Sequence, residues 1–221
     1  MDLQTLIEQI YREKFAIRKF IPGETPVPVS GKVFDEQELI SMVEAVLDGH
    51  WTEGRFTKQL ERCLAGFLRV PHCAMVNSGS SANLLALAAL TSFRVPRERR
   101  LFAGNEVVVS ATSFPTTVNP VVQCGLVPVF VDPELGSYNP TAETVIRAVS
   151  DKTRAIFLAH TLGNPFEAQE LRDFCDSREM WLIEDNCDSL GSTSGGRHTG
   201  SIGHLSTCSF YPAHHITMAE G

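Results

Sequence analysis

The sequence predicts an α/β domain with a mostly parallel sheet covered by helices on both faces. From residue 73 onward, short apolar runs alternate with helical stretches, which is the order of repeated βαβ units. The chain has 221 residues, 43% of them hydrophobic and 20% charged, enough to bury a sizeable core and too apolar for disorder.

Before that region the pattern is helical. Leu3, Leu6, Ile7, Ile10 and Tyr11 follow the i, i+3, i+4, i+7 spacing of an amphipathic helix, which breaks at Ile21-Pro22-Gly23. Pro22, Pro26 and Pro28 then hold an extended connector. Asp35 and Glu38 read as a capping box opening a second helix that stops at Gly49. A third helix carries Leu60, Leu64, Phe67 and Leu68 on one face. Residues 1–72 are therefore expected to form a helical arm and entry segment, and residues 73–221 the α/β unit. Its expected strands are Cys73–Val76, Glu106–Ser110, Val127–Val131, Ala155–Ala159, Trp181–Ile183 and Leu205–Phe210. The expected helices are Ser80–Leu90, Ala142–Val149 and Ala168–Ser177. The sequence halts just past a strand-like run, which suggests either a shortened fold or the front part of a longer protein.

Charge and composition narrow the function. With 19 Lys+Arg against 26 Asp+Glu the formal net charge is −7, and without a basic block nucleic acid is not the expected partner. No apolar run approaches the roughly 20 residues of a membrane span, and the start lacks a signal-peptide core, so a cytoplasmic protein is expected. Six cysteines, at 63, 73, 124, 175, 187 and 208, form neither a CxxC motif nor a secreted disulfide framework.

Four clusters fall at strand ends, where open α/β sheets place ligands. Asn77-Ser78-Gly79-Ser80-Ser81-Ala82-Asn83 combines small residues with a helix start and suits a phosphate cradle, or else is an ordinary Ser/Asn N-cap. Ala111–Thr117 presents Phe114, a ring for stacking on a planar ligand or for filling the core. Ile183-Glu184-Asp185-Asn186-Cys187-Asp188 runs an apolar strand into three acids, which need a cation or donors to remain charged. Ser206–Thr217 contains adjacent His214 and His215, whose rings must point apart.

In this order and spacing, from about Gly31 to Gly221, the clusters resemble the DegT/DnrJ/EryC1/StrS family, the sugar-nucleotide branch of the pyridoxal-phosphate aminotransferases of fold type I. The resemblance implies an aspartate-aminotransferase-like large domain that binds pyridoxal or pyridoxamine 5′-phosphate, with the small C-terminal domain absent. It assigns the cofactor phosphate to Gly79, Ser80, Ser81 and Ser209, ring stacking to Phe114, and the pyridine nitrogen to Asp185. Asp188 stands where aminotransferases often carry Gln near the cofactor's 3′-oxygen, and Ala219 where a glycine is usual.

One substitution separates branches of the family. Where aminotransferases carry the Schiff-base lysine, after a Ser-Phe-x-Pro run, this chain has His214, and no lysine follows Lys152. That exchange is similar to the 3-dehydratases of deoxysugar biosynthesis, which use the cofactor non-covalently as pyridoxamine phosphate with imidazole moving the proton. The runs SFYPAHHIT and EDNCDSLGS resemble the branch that acts on a CDP-linked 4-keto-6-deoxyhexose in lipopolysaccharide biosynthesis. By that resemblance Cys187 would be the first of four [2Fe–2S] ligands, the others lying outside this chain. A homodimer and an iron–sulfur flavin reductase partner are implied with it. The competing expectations are a non-catalytic fragment of such an enzyme and, less favoured, an ordinary sugar-nucleotide aminotransferase.

Overall fold

The structure is a computed structural model that describes residues 2–15, 20–28, 31 and 33–218. Its first part is helical, as the periodicity requires. Helix α1 (Leu3–Phe15) buries Ile7, and α2 (Glu36–Leu47) opens on the expected capping box, with Asp35 N–H donating to Glu38 Oε2 at 2.8 Å. Helix α3 (Arg55–Leu68) ends at Arg69, which adopts a left-handed φ of 57°. Helix α4 (Gly79–Leu90) is capped by Ser78, whose side chain accepts from Ser81 N–H.

Beyond α4 come β1 (Glu106–Ser110), α5 (Pro115–Gln123), β2 (Val127–Val131), α6 (Ala142–Arg147), β3 (Thr153–Ala159), α7 (Ala168–Ser177) and β4 (Trp181–Asp185). A two-strand hairpin, β5 (Thr193–Ser194) and β6 (Arg197–His198), turns on Gly195-Gly196, both at positive φ as a tight turn needs. Strand β7 (Leu205–Thr207) follows. Five strands form one sheet in the order β2-β1-β3-β4-β7, and every pairing in it is parallel.

The two-residue period of the strands divides the core. Val108, Ile156, Leu158 and Leu182 pack on α6 and α7 through Val145 and Leu171. Val107, Val109, Phe157 and Ile183 pack on α4 and α5 through Leu87 and Val121. The chain leaves β1 toward β2 on one side and returns to β3 on the other. This reversal opens a crevice at the carboxyl ends of the strands.

Three expectations are corrected. Cys73–Val76 is no strand: a groove of about 330 Å³ lies between that run and β7, so its backbone has no ladder partner there. The last strand ends at Thr207 rather than Phe210, because β4 stops at Asp185 and offers no further pairing. Helix α5 was not among the expected helices. Pro115 takes the first helical position, where a missing N–H costs nothing, and Pro120 lies within the helix. Among the described residues no helix is long and apolar enough to cross a membrane.

Candidate active site

At the carboxyl ends of the strands lies a cavity of about 730 Å³. The ends of β3 and β4 reach it through Ala159 and Asp185, the N-terminus of α4 through Gly79 and Ser80, and the 209–218 run through Ser209, Tyr211 and His214. Phe114, Cys187 and Asp188 complete the residues that the sequence singled out and the cavity gathers.

One expected cofactor contact stands elsewhere, and the second histidine points apart from the first. Ser81 does not line the cavity; its N–H donates to Ser78 Oγ and its hydroxyl accepts from the same Oγ, each at 3.1 Å. His215 is exposed and does not face the cavity. Ala219 lies outside the described residues.

The α4 end is a cradle shaped by Gly79. A Cβ there would fall 2.5 Å from Ser209 Cβ and 2.8 Å from Ser209 Oγ, so only glycine lets the two segments close. The N–H groups of Gly79 and Ser80 precede the first intrahelical bond, from Ala82 N–H to Ser78 O. They point toward the cavity end of the helix, where the dipole favours an anion. Ser113 Oγ is buried on the cavity wall with no hydrogen-bond partner among the described residues. Ser/Asn capping and cradle coexist here, since Ser78 does the capping and Gly79 and Ser80 remain free.

Asp185 forms the polar floor. Its Oδ2 accepts from Asn83 Nδ2 at 2.9 Å and Thr117 Oγ1 at 2.8 Å, and its Oδ1 accepts from Cys187 N–H at 3.2 Å. All three partners donate, so the carboxylate presents its remaining lone pairs to the cavity as an acceptor. Phe114 is 72% exposed and free to cover a flat ligand rather than filling the core.

His214 lines the same cavity. Its Nδ1 donates to the Ser209 carbonyl at 3.2 Å, because a carbonyl only accepts. Nε2 is then the basic nitrogen of the neutral ring, and Asp188 Oδ1 lies 3.5 Å from it. Asp188, which the sequence suggested as a cofactor contact, lines the cavity and also stands beside the histidine.

Cys187 lines the cavity next to Asp185. Burial, and then the negative charge of Asp185, push its thiol well above the ordinary cysteine range. Among the described residues no group of three His, Cys, Asp or Glu side chains is placed to hold a metal ion.

Asn83, Thr117 and Thr207 were not singled out as site residues. The available signal was Asn83 itself: an amide on the buried face of α4, one turn after Gly79 and one before Leu87, and only 1% exposed.

Known proteins place the chain. Residues 34–221 match the model of the DegT/DnrJ/EryC1/StrS aminotransferase family. The lipopolysaccharide biosynthesis protein RfbH of Salmonella typhimurium is 50% identical over 220 residues, covering 100% of this chain and 50% of that protein. The dTDP-4-dehydro-2,6-dideoxy-D-glucose 3-dehydratase of Saccharopolyspora spinosa is 52% identical over 202 residues, covering 91% of this chain and 44% of the other. The solved Escherichia coli GDP-4-keto-6-deoxy-D-mannose-3-dehydratase with bound hydrated PLP superposes with a TM-score of 0.82 at 35% identity, over 88% of this chain and 49% of that one. The chain spans about half the length of the curated relatives it matches. Its sheet, its cavity and 188 matched residues agree on one assignment: this chain belongs to the DegT/DnrJ/EryC1/StrS aminotransferase family.

Proposed function

We propose that this chain supplies the cofactor half of a pyridoxamine-phosphate-dependent 3-dehydratase, which removes the C3 hydroxyl of a nucleotide-linked 4-keto-6-deoxyhexose. The observation that carries it is His214: an imidazole whose Nε2 is the basic nitrogen, beside Asp188, faces the same cavity as the Asp185 carboxylate and the Gly79 cradle. The names of the relatives, two of them 3-dehydratases of nucleotide-linked deoxysugars, support the reading. The cavity suits the cofactor: a cradle closed by Gly79, an unpartnered Ser113 hydroxyl and an acceptor-only floor match a phosphorylated pyridine.

When bound, pyridoxamine phosphate supplies an amine for the sugar ketone and a ring that draws electrons from the carbon losing its proton. The residues of this chain do the rest. Gly79 and Ser80 N–H groups and the Ser209 hydroxyl bind the phosphate. Phe114 covers one ring face and excludes water from it. Asp185 accepts the pyridine N–H and so keeps that nitrogen protonated. His214 takes up a proton at Nε2, and the Asp188 carboxylate beside it steadies the resulting imidazolium. The CDP-linked sugar, a homodimer and electron delivery by a reductase rest on the resemblance of the Cys187 and His214 runs.

The test is a reaction of the full chain with pyridoxamine phosphate and CDP-, dTDP- or GDP-linked 4-keto-6-deoxyhexose in heavy-oxygen water, read by mass spectrometry. Loss of the C3 hydroxyl, or exchange of its oxygen, is the expected result. A 4-amino sugar that keeps its C3 oxygen would instead indicate an aminotransferase. Sugar recovered unchanged, with no cofactor bound, would favour the non-catalytic fragment.

A further inference from the structure

We propose that Asn83 is a positioning residue for Asp185, and that α4 sets the spacing between the phosphate cradle and the carboxylate that receives the ring nitrogen. The proposal rests on the reading of Asp185 given above.

Asn83 lies four residues after Gly79. At 1.5 Å per residue that is about 6 Å along one helix, roughly one turn. The same rigid element therefore carries the cradle at its end and the support of Asp185 one turn inside.

The amide of Asn83 is oriented without ambiguity. Thr207 Oγ1, from β7, donates to Asn83 Oδ1. That leaves Nδ2 to donate to Asp185 Oδ2 at 2.9 Å and to the Thr116 carbonyl at 3.1 Å. Thr116 O is available because the helical N–H that would reach it belongs to residue 120, which is a proline. The proline within α5 thus frees an acceptor that fixes the second proton of the Asn83 amide. A buried amide left without partners is costly, and here both protons and the oxygen are engaged.

The effect falls on the carboxylate plane. Asn83 and Thr117 both donate to Oδ2, which holds that oxygen against α4 and α5. Oδ1, with a single backbone donor from Cys187, keeps a free lone pair for a ligand N–H. Without Asn83 the carboxylate loses one of its two side-chain donors. It is then free to rotate or to pick up a proton, either of which weakens its hold on a pyridinium.

The experiment uses the full chain with pyridoxamine phosphate as probe. It reads the dissociation constant by fluorescence and, from the absorption spectrum of bound cofactor, the pH at which the ring loses its proton. Asp185→Asn is the reference and should lower that pH. Asn83→Leu should lower it too and weaken binding by roughly tenfold or more, the scale of a lost hydrogen bond to a charged group. Thr207 pairs with Asp185 across β4 and β7, but its side chain bonds Asn83 and does not line the cavity. Thr207→Val should shift both readouts in the same direction by a smaller amount, about threefold in affinity, and Thr207→Ser should restore them. If Asp185→Asn moves the titration while Asn83→Leu and Thr207→Val lower only the melting temperature, Asn83 is a structural residue and the proposal fails. If Asp185→Asn leaves the titration unmoved, the reading of Asp185 fails first. Should Asn83→Leu not fold, the Thr207 pair decides alone.

Discussion

His214 Nε2 and Asp188 Oδ1 face each other at 3.5 Å, while the ring's other nitrogen is committed to the Ser209 carbonyl at 3.2 Å. The first distance is that of an ion pair rather than of a tight hydrogen bond. In the neutral ring Nε2 remains open to take a proton, and Asp188 becomes a partner once it has done so. His214→Asn should therefore slow dehydration by roughly 10²–10⁴, the usual range for a lost general base, while leaving pyridoxamine-phosphate affinity within a small factor. Asp188→Asn should cost about tenfold or less, since it removes a charge beside the base and not the base itself. Exposed His215, changed to Asn, should react at the parent rate. Single-turnover spectra with the 4-keto sugar nucleotide rank the three, and an unimpaired His214→Asn would sink the assignment of the base.

Gly79 makes a separate prediction because its space is already taken. Adding a methyl group places a Cβ 2.5 Å from Ser209 Cβ and 3.3 Å from Cys187 Sγ. Gly79→Ala should destabilise the fold by about 1–3 kcal/mol through overpacking and push Ser209 away from the cradle. Affinity for inorganic phosphate and for pyridoxamine phosphate should fall together, as calorimetry would show. Unchanged affinity for both would mean the anion sits elsewhere.

The cysteines divide by burial, and their reactivity should follow. Cys63 is exposed, whereas burial pushes the Cys175 thiol up to about 12 and the Cys208 thiol up to about 11. Only a thiolate attacks a disulfide reagent, so at pH 8 Cys63 should label first, half-buried Cys187 and Cys208 slowly, and buried Cys175 only on unfolding. Peptide mapping after brief exposure to a maleimide or aromatic disulfide checks this. Early labelling of Cys187 would show that its sulfur is more open to solvent than its burial beside Asp185 implies.

The sequence carried the sheet well and the polar network badly, for a physical reason in each case. Val107–Val109 and Ala155–Leu158 are apolar because both faces are covered, and that pattern is local. The Asp35–Glu38 box is equally local, since both partners lie within one helical turn. Cys73–Val76 is as apolar as a strand, but strandhood depends on a ladder partner, which no single run reveals. Helix α5 was missing from the expected helices, although Pro115 suits a helix start and Pro120 leaves a carbonyl for Asn83. The bonds from Asn83 to Asp185 and from Thr207 to Asn83 join residues 102 and 124 positions apart. Contacts at that separation have no sequence period. Asp188 illustrates the same limit, as its residue type was visible and its partner His214 was not.

The last prediction concerns Glu184, the neighbour of Asp185 on β4, whose side chain points to the opposite face and is fully buried. His160 Nδ1 accepts from Phe166 N–H at 3.3 Å, so its Nε2 carries the proton and donates to Glu184 Oε2 at 2.9 Å. Gly200 N–H donates to the same oxygen, and Ile202 and Gly203 N–H groups to the other, at 2.9, 2.8 and 2.5 Å respectively. Burial by itself would raise the carboxyl's pKa, but the His160 bond and the backbone donors outweigh it and hold the group below its ordinary value. A depressed native value means that the stability is complete above the unfolded pKa, about 4.3, and drains away as pH falls through the native one. Glu184→Gln removes the charge and turns an NH₂ toward N–H donors, at roughly 1–3 kcal/mol for each buried group left unpaired. The variant should therefore melt well below the parent at neutral pH, with the gap narrowing once the pH drops below about 4.3. Thermal melts of both proteins from about pH 7 to about pH 3 measure the gap directly. Two curves that stay parallel throughout would show that the Glu184 charge contributes nothing specific to the loop carrying Gly200, Ile202 and Gly203.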